Sequence, residues 1–153
     1  MRINEVLLTL HILASATWIG AALALQVLAA RVRPSTPDAV VDVFAVDAEV
    51  IGKRLFGPAA VVLLLTGVAL VERQQIGWTE PWILLGVGAL AIAGTIGGAF
   101  LIPEGRRLAQ LALQPDHDPG ELRDRTRRRF LVARVDLSIL VLAVAVMVFR
   151  PGA

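Results

Sequence analysis

No cysteine occurs in the 153 residues, and histidine occurs only twice. The first absence excludes disulfides, thiolate metal sites and cysteine nucleophiles. The second leaves few side chains able to ligate a metal. Polar surface is also short: 56% of the chain is apolar and the mean hydropathy is +0.70, against roughly 45–50% apolar in ordinary soluble domains. A soluble domain of this size could not bury so much apolar surface, whereas a bilayer can accommodate it. The length suits one domain.

The net charge of +2 and the sequence pI near 10.4 would suit a nucleic-acid partner. The basic residues, however, flank long apolar runs, which is the topology signal of membrane proteins. The expected surroundings are therefore a lipid bilayer, with no nucleic acid. Four segments satisfy the requirement of about 20 mostly apolar residues: 6–30, 55–71, 82–103 and 132–149. The first could pass for a signal peptide, with Ala14-Ser15-Ala16 as a cleavage site. It is long enough to span, and Glu5 interrupts a positive leader, so an uncleaved helix is expected.

The fold expected is an all-α, four-helix transmembrane bundle forming a single domain over 1–153, with helices two, three and four protruding as helical cytoplasmic extensions. Twelve of the fifteen Lys and Arg residues fall in the two long connections, the first and the last, or at their edges, including Arg31, Arg33, Lys53, Arg54 and Arg134. Only Arg2, Arg73 and Arg150 fall on the other side. The positive-inside rule then puts both termini outside and the long connections in the cytoplasm. Thr36-Pro37 reads as an N-cap and N1 pair opening an amphipathic helix. Along it, Glu49 and Lys53 are spaced for an i,i+4 ion pair. Pro58 is expected in the first turn of the second span or at a kink. Trp78 and Trp82 suit an interfacial aromatic belt.

Ionisable residues inside a membrane are costly and are candidates for function. His11, Arg134 and Asp136 qualify. Arg134 can snorkel to the cytoplasmic surface, and Asp136, near the cytoplasmic end of the fourth span, can pair with Lys53 or Arg54. His11 heads a helical stripe with Ser15, Trp18, Ala22 and Gln26. At its depth lie Gly67, Gly86 and Gly88, whose missing side chains leave room for helix packing or a flat ligand, and Met147. A neutral imidazole there could ligate haem iron or copper. A bis-histidine haem would draw His11 from two copies, hence a homodimer. His117 lies in a proline-rich turn out of reach.

The stretch from His11 through Trp18 to Gly20, Glu49 with Lys53-Arg54 and Pro58, and the ending Arg134-Val-Asp136 to Pro151 resemble a bacterial group of small predicted integral membrane proteins of unknown function. More distantly, the histidine with tryptophan seven residues later and the basic segment before Pro58 resemble HemJ-type protoporphyrinogen oxidases and the copper-resistance protein D domain. That resemblance implies a bacterial-type cytoplasmic membrane and His11 as ligand of a haem b, with Trp18, Lys53 and Arg54 at the other positions of the pattern. The third span lacks the polar and basic residues of the oxidases, so haem or porphyrin binding is implied rather than protoporphyrinogen oxidation. The leading expectation is haem or porphyrin bound through His11 for membrane electron transfer or tetrapyrrole chemistry. A non-catalytic membrane subunit or scaffold, and copper handling, are the alternatives.

Overall fold

A backbone crossing lipid finds no water for its N–H and C=O groups, so it must satisfy them within the segment. The computed structural model describes residues 2–32 and 35–150 and meets this demand with long helices. They are α1 (Ile3–Arg31), α2 (Asp38–Arg73), α3 (Pro81–Ala112) and α4 (Pro119–Phe149), each long and apolar enough to cross a membrane. No strand occurs among the described residues. Arg33 of the basic count and the Pro151-Gly152 ending lie outside them.

The basic segments flanking the apolar runs are continuous with the spans. α2 begins at Asp38, and Pro58 lies inside it, in the first α-helical turn of the apolar span, directly after an irregular segment. A proline in a helix lacks an N–H donor, and its ring crowds the carbonyl four residues earlier. For Pro58 that carbonyl belongs to Arg54, and for Pro103 in α3 it belongs to Ala99. Both helices widen there into one π turn, at Gly52–Phe56 and Gly97–Leu101, just before the proline. Such widening is a recognised way to absorb a helix-breaking ring. It also shifts register. The added residue rotates Lys53 relative to Glu49, and among the described residues they form no ion pair.

Helix ends differ slightly from the sequence pattern. Pro37, not Thr36, occupies the cap position of α2, without a side-chain hydrogen bond. Thr36 instead donates its hydroxyl to the Arg31 carbonyl at 3.3 Å. Asp118 caps α4 by accepting from the Gly120 amide at 2.8 Å.

Packing forms three layers. At the basic end Val41 and Ala45 of α2 meet Leu108 of α3 and Leu122 of α4. Further in, Leu25 of α1, Ala48 and Phe130 pack together, with the Phe44 and Phe130 rings 5.3 Å apart. At the opposite end Val71 meets Trp82 and Ile83. Trp82 is thus buried between helices, with the Arg150 guanidinium 5.3 Å from its ring centroid, and is no part of an exposed belt. Trp78 is the exposed one; its indole donates to Glu72 Oε1 at 2.8 Å. Outside these layers large apolar side chains face outward, Leu65 and Leu142 each 65% exposed. An apolar exterior of this extent belongs in lipid.

The turn between α3 and α4 is tied to α2 by His117. Its Nδ1 lies 2.8 Å from the Gln114 carbonyl, and its Nε2 lies 3.0 Å from Asp42 Oδ1. The Gln114 carbonyl foremost, with the Asp42 and Asp38 charges behind it, raises the pKa of His117 above the ordinary imidazole value. A group whose pKa is raised on folding binds its proton more tightly in the folded state. Its stabilisation is therefore complete below the unfolded value of about 6.5 and is lost as pH rises through the higher folded value. Thermal melts of the detergent-solubilised protein across pH 5–9 should show this loss, and His117→Gln should flatten it.

Candidate functional site

Of the glycines near the depth of His11, Gly67 and Gly86 are in close contacts, whereas a Cβ at Gly88 would meet nothing within 4 Å. The Thr66 hydroxyl sits 2.6 Å from the Val62 carbonyl and 2.9 Å from His11 Nδ1. A hydroxyl has one proton to give, and the short contact to Val62 takes it. Nδ1–H of His11 then donates to Thr66, which leaves the lone pair on Nε2. The imidazole lies over Gly67, where an added Cβ would stand 3.3 Å from Cε1. Gly86 is likewise covered, by the Met147 side chain. The spaces expected for a flat ligand at Gly67 and Gly86 are occupied by His11 and Met147 themselves.

Open space lies instead toward the basic end. A cavity of about 400 Å3 runs between all four helices at the level of the two π turns. Trp18 and Phe56 form part of its wall, their rings stacked 6.3 Å apart. Gly94, Gly97 and Gly98 form another part, and a Cβ at any of them would meet nothing within 4 Å. The α1 stripe therefore divides: His11 packs against α2, while Trp18, Ala22 and Gln26 face the cavity.

Five charged residues line this space: Glu49, Lys53, Arg106, Arg129 and Asp136. Arg129 is only 9% exposed. Its Nε donates to the Leu101 carbonyl at 3.3 Å, a carbonyl at the end of the α3 π turn. No carboxylate pairs with it among the described residues, although the charges of Glu104 and Glu49 reach it. Gly105 makes room for the guanidinium: a Cβ there would lie 2.9 Å from Nη2. Glu104 itself is engaged by Arg107 and Arg125 at 3.8 and 3.6 Å.

Asp136 is 7% exposed and its Oδ1 has no hydrogen-bond partner. It lies in the interior of the 31-residue α4, not near its end, and neither Lys53 nor Arg54 pairs with it. Gln26 donates its amide to the Phe130 carbonyl at 3.0 Å, leaving Oε1 buried and unpartnered. Two acceptors and one partly used guanidinium thus line the same space. Arg54 and Arg134 are exposed and stand outside the cavity.

Arg129 is one of the twelve basic residues counted from sequence as a topology signal. A finer signal was present. Leu122, Thr126, Arg129, Ala133, Asp136 and Leu140 recur at helical spacing, and all but the half-buried Ala133 are buried. Arg129 and Asp136 are members of that inward stripe.

A family model described as predicted integral membrane protein, DUF2269, matches residues 5–151. The chain belongs to that family. This DUF2269 member is accordingly an integral, multi-pass membrane protein. Comparison with curated proteins and with solved structures finds no match. The distant likenesses to HemJ-type oxidases and to the copper-resistance protein D domain are not shown by the family match. Among the described residues no three His, Cys, Asp or Glu side chains are grouped to hold a metal ion.

The open glycine wall supplies a direct test of the cavity. Gly97→Leu should fold and melt close to the parent, because its Cβ meets no atom within 4 Å, while the added side chain fills the space. Any small molecule that co-purifies with the parent should be lost from the variant, as read by native mass spectrometry.

Proposed function

We propose that this membrane protein binds an anionic amphiphile, with the apolar part against Trp18, Phe56 and the glycine wall and the acid group on Arg129. The observation that carries this is a nine-tenths buried arginine, unpaired by any described carboxylate, lining an otherwise largely apolar cavity. Guanidinium presents five donors in a fixed fork suited to carboxylate or phosphate, and Arg129 places one on Leu101. Lys53 and Arg106 add positive charge to the same wall. The positive-inside rule places this end of the bundle at the cytoplasmic face. Ligands in this class include fatty acids, anionic lipids and porphyrins, whose propionates are carboxylates on an apolar plate.

Stearate and short-chain phosphatidate, offered to the protein in phosphatidylcholine nanodiscs, separate carboxylate from phosphate recognition. Arg129→Gln should weaken whichever binds by about tenfold or more, as expected for a lost charged hydrogen bond of about 1.5–3 kcal/mol. Arg134→Gln, on the exposed face, should leave binding unchanged. Equal binding by the parent and Arg129→Gln would overturn the proposal.

The tautomer of His11 favours a second reading, haem b or copper ligated by Nε2 for electron transfer or tetrapyrrole chemistry. Ligating histidines commonly hold the other ring nitrogen in a hydrogen bond, as Thr66 holds Nδ1. With Gly67 and Gly86 covered, a haem would approach from outside that packed layer, and a second His11 would come from another copy. Protein purified from haem-replete cells should then show a Soret band that His11→Ala removes. A colourless parent without bound copper sinks this reading, and absence of every ligand leaves a non-catalytic membrane subunit.

A further inference from the structure

Asp136 lines the cavity from α4. It stands seven residues beyond Arg129 on α4, about 10 Å along the axis at 1.5 Å per residue. The i,i+7 spacing puts both on one stripe, and both line the cavity. A carboxyl group so placed is expensive in lipid and normally acquires a partner. Here Oδ1 has none, and Asp136 forms no ion pair among the described residues. Ala93, Gly94, Gly97 and Ala133, which line the same cavity, carry no polar side-chain atoms. Gln26, nearer the basic end, turns a second unpartnered acceptor to the same cavity wall. Both features call for a hydrogen-bonding group brought in by the ligand.

We infer that the ligand is a hydroxylated anionic amphiphile, its acid on Arg129 and a mid-chain hydroxyl on Asp136 about 10 Å deeper. This rests on the reading of Arg129 as the anion-binding residue. A hydroxyl suits Asp136 in either protonation state, since it donates to a carboxylate and accepts from a carboxylic acid. The separation of the two polar residues acts as a ruler. It selects where along an apolar chain the hydroxyl stands, and Asp136 is the specificity-determining residue.

Positional isomers of one fatty acid read this ruler with head group and composition held constant. The wild-type protein in phosphatidylcholine nanodiscs should bind 10-hydroxystearate about tenfold more tightly than 3-hydroxystearate, the value of one hydrogen bond to a buried charged group. Asp136→Leu should abolish that preference while retaining stearate binding. Equal affinity of the wild type for the two isomers, with stearate binding still dependent on Arg129, overturns the role of Asp136 and leaves the anion site standing. Failure of the wild type to bind any of the three acids, or unchanged binding in Arg129→Gln, overturns both. The wild-type comparison needs no variant, so a misfolded Asp136→Leu does not rescue the proposal.

Discussion

The bundle depends on how α2 and α3 keep their backbones hydrogen-bonded through a proline inside the apolar layer. Pro58 and Pro103 each remove a donor and crowd a carbonyl, and lipid supplies no water in compensation. Each helix answers with a single π turn that starts at a glycine, Gly52 or Gly97. Both turns lie at the same level and border the same cavity. The widened segments line that cavity with Gly52, Lys53, Phe56, Gly97, Gly98 and Leu101. Leu55, which continues the apolar face of α2 in regular register, is 38% exposed in the structure.

The two halves of the molecule are consequently unlike. Toward the termini the helices touch through small residues and fitted side chains: His11 on Gly67, Met147 on Gly86, Trp82 beside Val71. The hydroxyl of Thr66 completes the contact by linking the imidazole to the Val62 carbonyl. Toward the basic end the same glycine content produces space, because Gly94, Gly97 and Gly98 face no neighbour. Beyond the cavity the bundle closes again through Val41, Ala45, Leu108 and Leu122. Arg123 fastens the first connection there, bonding to Asp38 and to the Thr36 carbonyl. The cavity thus lies between two packed layers.

Burying Arg129 and Asp136 carries a desolvation penalty of several kcal/mol per ion. The fold offsets part of it for Arg129. Its Nε has the Leu101 carbonyl, the aromatic face of Phe130 lies 5.3 Å away, and Gly105 yields the volume its guanidinium needs. Asp136 receives no such compensation from a described cation. Two costly groups thus share one helical stripe and face one space, where apolar residues would stabilise the bundle better.

The number of spans, their approximate limits and the asymmetry of charge were legible in the amino-acid order, because a bilayer imposes a long apolar run on any segment that crosses it. The stripe through Arg129 and Asp136 was also legible, as helical spacing does not depend on a partner. Which glycines leave space and which are covered could not be read. Gly67 and Gly97 look alike in the chain, and only the neighbour across the helix interface decides that one meets His11 and the other meets nothing. The fate of the prolines was decided at the same level. A proline predicts an interruption of regular hydrogen bonding, but whether the helix stops, kinks or widens depends on the packing to either side. The sequence alone therefore determined that this is a four-span membrane protein with its charge at one end. The tertiary structure decided that its interior opens near that end rather than beside His11, because cavities arise from contacts between helices and not from any one of them.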